Sequence, residues 1–327
     1  MNTRQKVIID CDPGIDDSLA LMYALSSEEL EVVAITIVCG NVPVELGVQN
    51  TFKVLQLMDR MDIKVYAGET KPLVREYVSA QDTHGMDGLG ESQIEAPKGY
   101  VAEVISAAEY LYQTFKTEKD ISIIALGPLT NLAKVIERDP LALKNVNRLV
   151  SMGGNYKSFG NCSPVAEYNY WCDPDAAKIV YENFAELGKK VEMVGLDVTR
   201  EIVLTPNILA YTKRINKERG SFVEKIVQFY FDFHWEYEKI IGCVINDPLA
   251  VAYFIDPTIC SGIEAYTTVE TQGLSIGQTI VDEMKFWKKD SNAYVCTSVY
   301  GMYFMEEFIY RIFGGEQQEI HKMLGQL

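Results

Sequence analysis

An α/β fold, with a mainly parallel sheet covered by helices on both faces, is predicted by three observations on this 327-residue chain. Short, near-continuous apolar runs rich in Val and Ile alternate with amphipathic stretches at helical spacing. Those runs lack the in–out alternation of a half-exposed sheet, so both of their faces are buried, as in parallel sheets. Several of them end in aspartate or glycine, and in such sheets ligands bind beyond the C-terminal ends of the strands.

Residues 7–9 read as the first buried strand and residues 18–25 as the start of a helix, with Pro13 and Gly14 between them. Residues 31–39 form a second strand ending at Gly40 and Asn41. A helix over 48–58 and a strand over 63–67 follow. Residues 81–90 are rich in turn formers and read as a surface loop. A helix over 101–115 leads into a strand over 121–126, and Gly127 and Pro128 open the next helix. The strand over 148–152 ends in Gly153 and Gly154. The helix over 174–184 has Asp173 as its cap and Pro174 at its first position, and the strand over 191–196 ends at Asp197.

Beyond Thr205 the pattern changes. Helices over 206–217 and 221–239 precede Asn246, Asp247 and Pro248, which open another; residues 264–299 suggest antiparallel strands, and a last helix covers 302–313. No repeat, low-complexity tract or Pro/Ser-rich linker marks a boundary, so residues 1–327 read as one domain. Its late antiparallel β element packs against the main sheet as an elaboration.

With 48% apolar residues the chain folds around a large core, and its net charge of −16 argues against a nucleic-acid partner. A small neutral substrate suits it better. No apolar run is long enough to span a bilayer, and the polar residues 1–6 followed by the brief run 7–9 do not make a secretory leader. The seven cysteines (Cys11, Cys39, Cys162, Cys172, Cys243, Cys260, Cys296) are scattered without CxxC spacing, which points to reduced thiols and a cytoplasmic location. Zinc is disfavoured, since the only histidines, His84, His234 and His321, form no ligand spacing with them.

Asp10, Asp12, Asp16 and Asp17 crowd the end of the first strand and would repel one another unless neutralised. Helix capping explains Asp16 and Asp17 but leaves Asp10 and Asp12 without purpose. A hard cation explains all four. Asp12, Asp16, Asp17 and the distant Asp247 supply oxygen ligands of the kind calcium or magnesium takes, and calcium's large coordination number leaves room for substrate hydroxyls. A cation so held acidifies water and orients a diol, and a neighbouring carboxylate can act as general base. Asp10-x-Asp12 after a strand equally suits an aspartyl-nucleophile phosphatase, although no basic residue in the loop is placed to hold a phosphate.

The run Asp10-Cys-Asp-Pro-Gly-Ile-Asp-Asp17 resembles the signature of the inosine/uridine-preferring nucleoside hydrolase family. It is supported in order by Cys39-Gly40-Asn41, residues 126–131 (LGPLTN), 151–154 (SMGG), 165–169 (VAEYN), 195–199 (GLDVT) and 247–250 (DPLA), over nearly the whole chain. The resemblance implies a Rossmann-like nucleoside hydrolase fold and calcium-dependent cleavage of a ribonucleoside to ribose and free base, in nucleoside salvage. It implies Asp12 as ligand and general base, Asp17 and Asp247 as ligands, and Leu126 as a ligand through its carbonyl. It further implies that Asp16, Asn41, Met152, Asn161, Glu167 and Asn169 hold the sugar, and that the chain forms a dimer or tetramer. From the residues alone, Asn41 is equally a turn former, and Glu167 and Asn169 share one side of an extended segment that solvent alone would explain.

The departure from the family is Asn246. Many members have histidine there, placed to protonate the departing base, and asparagine cannot deliver a proton. His84, in the family's His-Gly context, and His234, four residues after Tyr230 on one helix face, are the candidates to act on the base instead. Two other readings stay open. One is hydrolysis of another N-ribosyl compound with a good leaving group, such as nicotinamide riboside; the other is a nucleoside- or ribose-binding protein without catalysis. The choice between purine and pyrimidine is not legible.

Overall fold

The computed structural model describes residues 4–326, so part of the polar start read at residues 1–6 lies outside the described residues. Eleven strands are found among these: β1 Gln5–Cys11, β2 Leu30–Ile37, β3 Val65–Ala67, β4 Ile121–Ala125, β5 Val146–Met152, β6 Val191–Val194, β7 Val203–Leu204, β8 Cys243–Val244, β9 Cys260–Val269, β10 Thr279–Asp282 and β11 Ala293–Val299. Nine of them form one sheet in the order β10-β9-β11-β6-β5-β4-β1-β2-β3. From β3 through β11 all neighbours are parallel, while β9 pairs antiparallel with both β11 and β10. A mainly parallel sheet is thus observed, together with a separate antiparallel pair, β7–β8. The late strands do not merely pack on the sheet. β11 hydrogen-bonds to β6 and extends the sheet itself.

The helices are α1 Ile15–Leu25, α2 Val44–Leu57, α3 Gln81–His84, α4 Ala107–Thr117, α5 Thr130–Arg138, α6 Tyr168–Cys172, α7 Pro174–Glu186, α8 Leu196–Thr199, α9 Pro206–Ile215, α10 Lys217–Glu238, α11 Asp247–Ile255, α12 Gly301–Phe313 and α13 Gln317–Leu324. They cover both faces because β1 sends successive side chains to opposite sides. Ile9 packs with Leu19 of α1, Leu249 of α11 and Phe304 of α12, whereas Ile8 packs with Leu132 of α5 and Val180 and Phe184 of α7. Both isoleucines are fully buried. Truncating either to alanine is worth roughly 2–5 kcal/mol.

Three local expectations change. The segment over 101–115 is helical only from Ala107, where Ser106 caps α4 by accepting from the Glu109 N–H at 3.3 Å. Residues 81–90 are not simply a surface loop: α3 forms there, and His84 and Leu89 are buried. Glu167 and Asn169 do not lie on one side of an extended segment. Glu167 is the N-cap of α6, and its carboxylate accepts from the N–H groups of Asn169 (2.8 Å) and Tyr170 (3.2 Å). The chain also adds α13 beyond the last expected helix.

Candidate active site

The C-terminal ends of β1, β2, β4 and β5 open into a cavity of about 390 Å³. Asp12 follows β1, and Gly14 starts α1, so Asp16 and Asp17 fall in the first turn of that helix. Asp17 is anchored there: Oδ1 accepts from Asp12 N (3.1 Å), while Oδ2 accepts from Gly14 N (3.0 Å) and Asn41 Nδ2 (2.9 Å). Asp247 arrives from the start of α11, which packs against α1. Carboxylate oxygens of Asp16, Asp17 and Asp247 come within 4.8 Å of one another, all three side chains being buried.

Asp12 stands beside this trio, because the Asn41 backbone N–H holds its Oδ2 at 2.6 Å. Its Oδ1 is buried with no protein partner. The glycines around it leave room for this group: a Cβ at Gly40 would overlap the Asp12 carboxylate, and one at Gly127 would come within 2.5 Å of it. Burial and the charge of Asp17 push the Asp12 carboxyl well up. Burial, then Asp16, raises Asp17 to about 6, and burial with the neighbouring aspartates raises Asp247. Four buried carboxylates with no protein cation among them, one carrying an orphaned oxygen, make a donor set that fits a hard divalent cation. The Leu126 carbonyl, the fourth ligand of the resemblance, accepts from Asn169 Nδ2 at 2.7 Å and keeps a second lone pair.

Asp10 is not part of this group. Its Oδ1 accepts from Thr36 Oγ1 (2.5 Å) and Asn131 Nδ2 (2.8 Å), which ties β1 to β2 and α5.

Asn41, Met152, Asn161, Glu167 and Asn169 all line the same cavity as Asp16 and Asp247. Glu167 Oε2 also accepts from Gly154 N at 2.7 Å, and burial raises its carboxyl to about 7 despite three backbone donors. Asn161 turns its side-chain oxygen to the Tyr168 N–H (2.9 Å).

The cavity is also lined by His84, Tyr230, Phe233, His234, Tyr237 and Asn246. Both histidines pack on the Tyr230 ring, at centroid distances of 5.2 Å for His84 and 4.4 Å for His234. Asn246 donates through Nδ2 to Asp16 Oδ2 at 3.0 Å. His321 is exposed and pairs with Glu306.

Sequence reasoning missed Asn50 and Arg200, and singled out Asp197 only as a strand ending without a role. Asn50 donates to the Pro13 and Asp87 carbonyls, both at 3.0 Å. Asp197 accepts from the N–H groups of Tyr156, Lys157 and Ser158 at 2.6, 2.7 and 3.0 Å, and so holds the turn that leads to Asn161. Arg200 lines the cavity wall and pairs with Glu238 at 3.3 Å. The Gly195-Leu-Asp197 block was a visible signal for Asp197 alone.

A family model described as inosine-uridine preferring nucleoside hydrolase matches residues 7–306. The chain belongs to this family. It is 35% identical over 297 residues to the pyrimidine-specific ribonucleoside hydrolase RihA of Salmonella typhi, covering 90% of this chain and 93% of that protein. The purine-preferring ribonucleoside hydrolase from Gardnerella vaginalis is 32% identical with a TM-score of 0.88, covering 95% of this chain and 98% of that one. A plant nucleoside hydrolase gives 30% identity and a TM-score of 0.89, covering 96% of this chain and all of that one (100%). The protein is therefore a nucleoside N-ribohydrolase, an enzyme that hydrolyses the N-glycosidic bond of ribonucleosides. No helix of this hydrolase, among the described residues, is long and apolar enough to cross a membrane.

Proposed function

We propose that this enzyme cleaves ribonucleosides with a calcium ion held by Asp12, Asp17, Asp247 and the Leu126 carbonyl, and with Asp12 as general base. The observation that carries this reading is the orphaned Asp12 Oδ1 beside the buried carboxylates of Asp16, Asp17 and Asp247. A divalent cation there would supply Lewis-acid chemistry, making water more acidic and orienting the ribose diol. Asp12, fixed by the Asn41 N–H, takes the proton from the attacking water. Asp16, Asn41, Asn161, Glu167 and Asn169 bind the sugar hydroxyls, with Met152 against its ring. As the C–N bond stretches, these carboxylates and amide oxygens stabilise the oxocarbenium-like sugar.

Asn246 is engaged with Asp16 and has no proton to give, so the leaving base meets His84, His234 and Tyr230. The chain works as one domain over residues 1–327 and as a homodimer or homotetramer in the cytoplasm. Seven cysteines free of disulfide bonds support that location.

The deciding experiment measures free base and reducing sugar from a panel of inosine, uridine and nicotinamide riboside, with calcium present and with it chelated, beside Asp12→Asn. Metal-dependent release that collapses in the variant is expected. Turnover confined to nicotinamide riboside favours the second reading, which the absence of an acid at Asn246 supports, since a cationic leaving group departs neutral. Nucleoside binding without any release would leave only a binding protein.

A further inference from the structure

The two buried histidines of the cavity touch opposite kinds of backbone group, and this fixes where each ring carries its proton. His84 Nδ1 lies 3.1 Å from the backbone nitrogen of Ile15. A backbone N–H only donates, so Nδ1 must be the unprotonated acceptor and the ring must carry its hydrogen on Nε2. Ile15 is the first residue of α1, so His84 satisfies one of the free N–H groups at that helix start. A second proton on His84 would break this bond and set a cation against the positive end of the helix. The same placement at a helix N-terminus keeps a histidine neutral in other enzymes. Gly14 permits the approach, since a Cβ there would meet His84 Nδ1 at 2.7 Å.

His234 is the reverse. Its Nδ1 lies 2.9 Å from the Tyr230 carbonyl oxygen, one turn back on α10. A carbonyl only accepts, so Nδ1 carries the hydrogen and Nε2 is left to gain or lose a proton with no protein bond broken. The charged groups facing it are Glu238 on its own helix, Asp16 on α1, Arg200 across the cavity wall and the His84 ring. Burial lowers its basicity, while Glu238 and Asp16 favour its charged form and Arg200 opposes it.

We infer that His234 is the general acid that protonates the departing base, and that His84 is a permanently neutral donor that holds an acceptor atom of the same base. The inference rests on the hydrolase reading above. In the step, the C1′–N bond breaks with its electron pair going to the base, and the His234 Nε2 proton moves to a base nitrogen. The water oxygen bonds to C1′ and its proton passes to Asp12. His234 returns to the neutral ring with hydrogen on Nδ1. The acid thus sits near the C-terminal end of α10 instead of at the strand end at Asn246.

The test pairs kinetics with NMR on the full-length, calcium-loaded protein. His234→Gln and His84→Gln are compared on inosine, uridine and p-nitrophenyl riboside, whose leaving group needs no protonation. His234→Gln is expected to lower nucleoside turnover about 100-fold more than nitrophenyl riboside turnover, and to lose the fall in kcat/KM on the alkaline side. His84→Gln is expected to keep that alkaline fall and to raise KM. In 15N-labelled histidine spectra from about pH 5 to 8, His84 Nδ1 should stay unprotonated while His234 titrates at Nε2. Equal losses on both substrate types in His234→Gln, or a titrating His84, overturn the assignment. Release from none of the three substrates by the unaltered, calcium-loaded enzyme overturns the catalytic reading on which the inference rests, and is told apart from failure of the acid assignment, which leaves the enzyme active.

Discussion

Asn246 and Asp16 are joined across 230 residues of sequence by a 3.0 Å hydrogen bond from the amide to the carboxylate. The other donor to that oxygen, the Tyr230 hydroxyl, lies at 3.5 Å and is weak. Asn246 therefore fixes the orientation of the Asp16 carboxylate, the group proposed to hold the sugar. Asn246→Leu removes a bond to a charged group, worth about 1.5–3 kcal/mol. Steady-state kinetics should show KM rising about tenfold or more, and the melting temperature should fall as well, because a buried carboxylate loses its donor. An unaltered KM would mean that Asp16 does not need its amide partner.

Asp12→Asn separates catalysis from stability. Loss of the proposed general base should lower kcat by roughly 10²–10⁴-fold. The same change removes one charge from a buried carboxylate group, where burial and the charge of Asp17 disfavour the ionisation of Asp12. In chelator, the variant should melt at a higher temperature than the parent. With calcium, that order should narrow or invert, because a ligand has been weakened. Calorimetry in both conditions checks this, and a variant less stable in chelator would contradict the repulsion argument.

The aspartates also set a pH dependence. Without a cation, burial raises Asp17 from 3.8 to about 6 and pushes Asp12 and Asp247 up as well. A carboxyl with a folded-state pKa above its unfolded value holds more protons when folded, so its contribution is complete below about 4 and is lost as pH rises through 6 and beyond. For Asp17 the shift amounts to roughly 3 kcal/mol. Chelated enzyme should melt lower at about pH 7.5 than at about pH 5, and added calcium should raise the melting temperature more at the higher pH. A calcium effect equal at both pH values would argue against binding by these carboxylates.

Much of this arrangement was legible in the chain because parallel strands with both faces buried leave continuous Val/Ile runs, as in residues 7–9 and 31–39. The aspartate loop was legible because four adjacent carboxylates are costly without a purpose. Glu167 was misplaced because a residue that caps a short helix looks, in sequence, like one in an extended segment; only its bonds to Asn169 N and Tyr170 N reveal the cap. The joining of β11 to β6 was not legible, since strand order depends on packing between residues about a hundred apart. His84 and His234 could be picked out, yet their tautomers could not, because Ile15 N–H and Tyr230 C=O meet them only in the folded chain.

Asn50 carries the last prediction. Its Nδ2 bridges the Pro13 carbonyl of the aspartate loop and the Asp87 carbonyl of the segment after His84, while its Oδ1 accepts from Lys53 at 3.1 Å. A fully buried amide with all its groups in use holds the two loops in one register. Asn50→Leu leaves the buried Pro13 carbonyl, the half-buried Asp87 carbonyl and a buried lysine without that partner, which should lower stability by about 1–3 kcal/mol. Because Asp87 lies three residues beyond His84, the loss should also spread to catalysis: kcat/KM should fall while calcium affinity, for which Asp12, Asp17 and Asp247 are the proposed ligands, changes less. Hydrogen exchange resolves the cause. Residues 84–90 should exchange faster in the variant and β1 should not, whereas uniform acceleration across both would mean that Asn50 supports the fold in general and not the placement of His84.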